Sequence, residues 1–246
     1  MAKSNRWVAH AASAVCAAAL MGTMAGCGSG GADGAADKPA ARNGDGSGIG
    51  SRVVSQREAE SLALHRKDVP GYTLQTLAGR GEDAQVPVHL FTGYLPRIEP
   101  AACQPVYDNT QQGSEYPQRA RTDTLVSGHG DYVEVALVAC GAGDAHKAVA
   151  DLRAALTRCR SFTMPADGTE HFEHPRSLPD PHLGDEAVEY TITQKIDGDE
   201  GVIRAPFHHL VVREGSVIVW FMVHGFPGDT PKLPRNVIDA QLAKLR

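Results

Sequence analysis

Seven consecutive residues, Val217-Ile218-Val219-Trp220-Phe221-Met222-Val223, carry no polar side chain, and turn signals bound the run on both sides. A run of that length, rich in β-branched and aromatic residues, reads as a strand with both faces buried. Two further strand-like stretches precede it, about Ala187–Ile196 and Val202–Arg213. Asp197-Gly198 and Glu214-Gly215 stand where tight hairpins need positive φ. The three make an antiparallel meander, and a sheet built around it needs material packed against its central strand.

Candidates for that material lie upstream and downstream. Ala145, Ala148, Val149, Leu152, Ala155, Leu156 and Cys159 form an apolar stripe at helical spacing, which predicts a helix over Ala145–Arg158 capped by Asp144. A final helix from about Pro234 places Val237, Ile238, Leu242 and Leu245 on one side. Ser55-Gln56-Arg57-Glu58 has the capping-box pattern, and Ala59, Leu62 and Ala63 follow it. That helix ends before Pro70. Glu99-Pro100 marks another helix start, with Cys103, Val106, Tyr107 and Thr110 on one face.

Short strands are expected at Tyr72–Leu77, at Val86–Tyr94 (an edge strand because of Pro87), at Ala120–Ser127 and at Asp131–Cys140. Gly128-His129-Gly130 joins the last two. In Asp131–Cys140 the residues Val133, Val135, Leu137 and Ala139 alternate cleanly. Gly79–Asp83 reads as irregular, Gln111–Gln118 as a polar turn, and the Pro-, His- and acid-rich Met164–Pro181 as a long surface loop. The expectation is an α+β fold, a single antiparallel sheet with flanking helices covering one face.

The amino terminus follows a different logic. Lys3 and Arg6 precede an apolar, Ala-rich run from Trp7 to Met24, and small residues lead into Cys27. A basic head, an apolar middle and a small-residue cleavage site are the parts of a secretory signal. Met24-Ala25-Gly26-Cys27 resembles the bacterial lipobox. That resemblance implies cleavage before Cys27, a diacylglyceryl thioether on its sulfur and palmitate-type acylation. Two acyl chains anchor stably where one does not. Residues 1–26 are then a signal peptide, 27–50 a lipid-anchored disordered linker rich in Gly, Ala and Asp, and 51–246 one extracytoplasmic domain.

The chain has 24 basic and 29 acidic side chains and a net charge of −5. Signal cleavage removes two basic residues and no acidic one. An acidic protein without a basic run is a poor nucleic-acid partner. Outside the cytoplasm cysteines tend to pair, and Cys103, Cys140 and Cys159 would remain after processing. Cys103 and Cys159 fall on apolar helix stripes. If the Asp144 helix packs on the Val133–Val135–Leu137 face, Cys140 points the other way. The expected bridge is Cys103–Cys159 with Cys140 buried and free, other pairings remaining open.

Several short stretches, in order, are Pro70-Gly71-Tyr72, Ala102-Cys103-Gln104-Pro105, Leu152 through Cys159-Arg160-Ser161-Phe162, Gly184-Asp185-Glu186-Ala187 and Val212 through Val217. Their order and spacing resemble the PknH-like extracellular sensor domains of actinobacterial membrane kinases and related lipoproteins. The resemblance implies an antiparallel sheet flanked by helices, a structural disulfide and a ligand-binding cleft, without established chemistry.

No hydrolase elbow, zinc-binding helix or phosphate-binding loop is present. Gly141-Ala142-Gly143 is better read as a turn opening a helix than as a dinucleotide site. His171 and His174 lie in the expected loop with His182 nearby, where spacing fixes no metal geometry. His208 and His209 point to opposite faces of a strand, one on the surface and one inside with its hydrogen bonds satisfied. Asp185 and Glu186 read as a polar turn, Trp220 and Phe221 as core. No catalytic residue, metal or cofactor is assigned. The expectation is a non-catalytic, membrane-anchored sensor-like domain with a small ligand or an envelope protein as partner. An assembly component and an unrecognised hydrolase or metal enzyme are the alternatives. Any pocket lies between the sheet and the helices or the 164–183 stretch.

Overall fold

A computed structural model describes residues 49–79, 86–87, 98–110, 116–163, 170–198 and 201–246. The elements in chain order are α1 (Gln56–Leu62), β1 (Thr73–Gly79), β2 (Val86–Pro87), a 3-10 turn (Ala101–Cys103) running into α2 (Gln104–Thr110), β3 (Ala120–Gly128), β4 (Asp131–Ala139), α3 (Ala142–Arg158), β5 (Ser161–Thr163), β6 (Glu170–Ser177), β7 (Glu186–Gly198), β8 (Gly201–Glu214), β9 (Val217–His224) and α4 (Arg235–Ala243). The protein is an α+β domain built on one sheet.

The strands lie in the order β2-β1-β3-β4-β9-β8-β7-β6-β5. All neighbours are antiparallel except β2, a two-residue edge strand parallel to β1. The chain builds β1, β3 and β4 first. Helix α3 then carries it to the far edge, and β5 to β9 return inward until β9 pairs with β4 over Val133↔Val223 to Ala139↔Val217. The apolar strand is therefore central, which is why no polar residue is tolerated between Val217 and Val223.

Both faces of the sheet are covered, not one. Val133, Val135, Leu137, Ala139, Val219 and Phe221 pack with Val237, Ile238 and Leu242 of α4 and Ala59 of α1. Ala136, Trp220 and Met222 pack on the opposite side with Val149, Leu152 and Leu156 of α3 and Val106 and Tyr107 of α2. So α3 sits on the less apolar face of β4. The premise used to separate Cys140 from Cys159 therefore fails. Even so, a disulfide joins Cys103 and Cys159, tying α2 to the C-terminal end of α3. Cys140 is buried and unpaired.

Local signals explain most helix ends. Ser55 caps α1, its Oγ accepting from the Glu58 amide at 3.4 Å. Ser55→Ala should cost roughly 0.5–1 kcal/mol, read as a small drop in the urea midpoint with unchanged cooperativity. Helix α3 begins earlier than expected: Gly141 is its N-cap and Asp144 lies in the first turn, where a carboxylate favours the helix dipole. Pro100 precedes the 3-10 turn as its cap.

Turns are displaced by a residue or two. The β7–β8 hairpin pairs as far as Gly198↔Gly201, so Asp197-Gly198 belongs to the strand. Between β8 and β9, Gly215 has φ +59° and lies against the Gly50 backbone, where a Cβ would meet the carbonyl oxygen at 1.8 Å. Only glycine satisfies both demands.

The largest departure from the sequence reading is β6, in a stretch expected to be loop. Phe172 is buried at its centre, and β6 pairs with both β5 and β7. A bulge between Glu173 and Arg176 breaks the two-residue period and hides the strand from pattern reading. The expected strand beyond Pro87 and most of the expected Gln111–Gln118 turn fall outside the described residues, as does the whole amino terminus with Cys27.

Candidate functional site

The β6 bulge shapes the candidate site. His174 takes φ +55° there, a left-handed conformation uncommon for a residue with a side chain. Its amide donates to the Arg160 carbonyl at 2.9 Å, fastening the bulge to the residue that leads into β5. Pro175 is buried beneath it. Strain held in place by surrounding structure is a feature of functional positions.

Around this bulge opens a cleft of about 680 Å³ bordered by Arg160, Glu173, His174, Arg176 and Arg204. Arg204 comes from β8, and its Nε stands 3.7 Å from Glu173 Oε2. Among the described residues the side chains of Arg160, Arg176 and His174 make no hydrogen bond or ion pair. Three guanidinium groups thus share a cleft with one carboxylate, on a protein whose net charge is −5.

A second cleft, about 570 Å³, lies at the end of β4 and β9 and is bordered by Tyr132, His224, Phe226, Asp229 and Lys232. The Tyr132 and His224 rings meet edge to face at 5.8 Å. Its carboxylate is already engaged, since Asp229 Oδ2 accepts from the Phe226 amide at 2.8 Å. This leaves it fewer unengaged charges than the arginine cleft.

The groups that sequence reasoning weighed for chemistry are otherwise occupied. Glu186 Oε1 lies 2.6 Å from His146 Nδ1 and accepts from Arg213 Nε at 2.8 Å. Burial alone would raise its carboxyl, but the hydrogen bonds from His146 and Arg213 outweigh it and hold the group below its usual range. Asp185 accepts from Arg213 and from the Gly215 amide. The pair is the clamp of the β8–β9 turn. Burial, with Asp144 nearby, pushes the Cys140 thiol up to about 12, so it stays protonated and unreactive.

The histidines do not converge. His171 Nδ1 lies 2.8 Å from Thr163 Oγ1, His174 faces the arginine cleft, and His182 is exposed beside Asp180. Among the described residues no three His, Cys, Asp or Glu side chains gather as a metal site. His208 and His209 do point to opposite faces. His208 bridges Glu189 Oε1 at 2.7 Å and the Pro231 carbonyl at 3.1 Å. His209 is fully buried, stacked on Tyr190 at 4.6 Å and beside Trp220 at 5.4 Å. Neither of its ring nitrogens has a hydrogen-bond partner among the described residues, which corrects the expectation of a satisfied inner histidine. Trp220 and Phe221 are core on opposite faces.

Arg160, Arg176 and Arg204 were not singled out by sequence reasoning. Separated by 16 and 28 positions, they form no motif. Only recognition of 170–177 as a strand would have aligned them.

No family model matches the sequence, and no curated protein matches it. Among solved structures the chain is similar to the extracellular domain of PknH from Mycobacterium tuberculosis, with 16% identity, 80% of this chain and 96% of that chain covered, and a TM-score of 0.46. It is also similar to an uncharacterised protein from Mycobacterium smegmatis, with 13% identity, 80% and 98% covered, and a TM-score of 0.33. Likenesses at this level assign neither family nor ligand.

Proposed function

We propose that the chain is an exported lipoprotein, anchored through acyl chains on Cys27 to the outer face of a cell membrane, whose folded part binds a ligand without transforming it. Residues 1–26 are the signal, 27–50 the tether and 51–246 the binding module. The observation that carries the binding reading is the arginine cleft: unengaged cations around a strained bulge, on an acidic protein. The carboxylates at Asp185 and Glu186 are consumed in ion pairs, Cys140 is a buried thiol, and His209 is sealed in the core; this supports a non-catalytic role. Among the described residues no helix is long and apolar enough to cross a membrane; in this reading the lipid on Cys27 supplies the attachment. Two acyl chains contribute about 0.8 kcal/mol per buried methylene, ample for a stable anchor.

The reading is tested by expressing the full chain in a bacterium that processes lipoproteins and measuring the mature mass. A mature chain beginning at Cys27 and carrying a diacylglyceryl group is expected. Cys27→Ala should abolish fatty-acid labelling and accumulate the unprocessed precursor. A wild-type mature chain with an unmodified Cys27 would remove the anchor from the proposal.

A further inference from the structure

We infer that the cleft at the β6 bulge is an oxyanion site that takes a phosphoryl group. The inference rests on the binding-module reading above and names the ligand class of that module's site. Its cations are all arginines, with no lysine among them. A guanidinium presents a planar fork of donors that fits the oxygens of phosphate in pairs, whereas an ammonium acts as a point charge. A lone carboxylate needs one such fork. Three around one space match a group with two negative charges and three terminal oxygens.

The backbone supplies the reason these side chains meet. The bulge breaks register between Glu173 and Arg176, and the His174 amide is tied to Arg160. Arg204 reaches the same space from β8 and is only loosely held, 3.7 Å from Glu173. An arriving anion therefore finds two unengaged guanidiniums and a third it can draw from a long ion pair. Two sources carry such a terminal phosphate, a soluble phosphomonoester and a phosphomonoester lipid headgroup, the second within reach of a domain tethered at the bilayer surface.

The test uses the full-length protein in phosphatidylcholine nanodiscs, titrated calorimetrically with inorganic pyrophosphate at constant ionic strength. Saturable binding is expected. Arg160→Gln and Arg176→Gln should each weaken it about tenfold, the cost of one charge-assisted contact, and Glu173→Gln should strengthen it several-fold. The arginines are exposed, so folding, checked by circular dichroism, stays intact. Nanodiscs containing phosphatidic acid, whose phosphomonoester keeps three terminal oxygens, form the second arm. Weakened pyrophosphate binding there assigns the headgroup as the natural source, and unchanged binding assigns a soluble one. Absence of pyrophosphate binding, or equal affinity in the Arg160→Gln/Arg176→Gln double variant, overturns the inference. Mass analysis of the same sample for lipid on Cys27 separates that failure from failure of the anchor.

Discussion

Replacing Cys103 and Cys159 together by alanine is expected to lower the unfolding free energy by about 4 kcal/mol. The bridge spans 56 positions, and closing a loop of that size removes a large share of the unfolded chain's freedom. Both sulfurs are fully buried among Val106, Tyr107, Leu152, Leu156 and Phe162. The bond therefore ties the start of α2 to the C-terminal end of α3. Alanine is the right replacement, because serine would add two buried hydroxyls and confuse the loss of the bridge with the cost of unsatisfied polar groups. Urea unfolding of the oxidised wild type against the double variant measures the difference. A gap below about 1 kcal/mol would show that the helical layer holds without the covalent link. Cys140 should not rescue the reduced protein by forming another bridge in the native state, since its thiol is buried and held protonated.

The pattern of legible and illegible elements follows from where each signal resides. Helices α3 and α4 and strand β9 announce themselves because their burial repeats with the period of the element. Ala145, Val149, Leu152 and Leu156 are buried along α3, as are Val237, Ile238 and Leu242 along α4. Which face of the sheet α3 would choose was not legible. Val133, Val135 and Leu137 look the better partners, but α3 packs on the face that carries Ala136, which Tyr132 and Glu134 make read as polar. Arg121, Thr122, Asp123 and Thr124 are polar or charged, yet all four are buried in the expected strand. The Arg121 guanidinium donates twice to the Asp123 carboxylate at 2.7 Å, a pairing that alternation permits but does not announce. The candidate site was the least legible part. Its arginines come from three segments brought together by a bulge, and a bulge erases the period by which a strand is read.

The buried His209 yields the second large effect, on acid stability. Burial first, and the neighbouring His208 second, hold its pKa down at about 3, against 6.5 in an exposed imidazole. Between those values the unfolded chain takes up a proton that the native protein refuses. Stability is therefore complete above pH 6.5 and is lost as pH falls, at about 1.4 kcal/mol per unit. The full loss, reached near pH 3, is on the order of 5 kcal/mol. His209→Phe keeps a flat ring between Tyr190 and Trp220 and removes the titration. It also removes two ring nitrogens with no hydrogen-bond partner among the described residues, worth about 1–3 kcal/mol at neutral pH. The slightly larger ring works against this gain in a packed core, so the absolute change at pH 7 is the less telling quantity. Carboxylates such as Asp68, Asp151 and Glu186, whose ionised forms are favoured by their partners, add their own acid losses to both proteins. These cancel in the difference. Urea unfolding at pH 7 and pH 4 should show the advantage of His209→Phe growing by about 3 kcal/mol over that interval. Parallel pH profiles for the two proteins would mean that the imidazole titrates alike in the folded and unfolded chain, and that the core around it admits a proton after all.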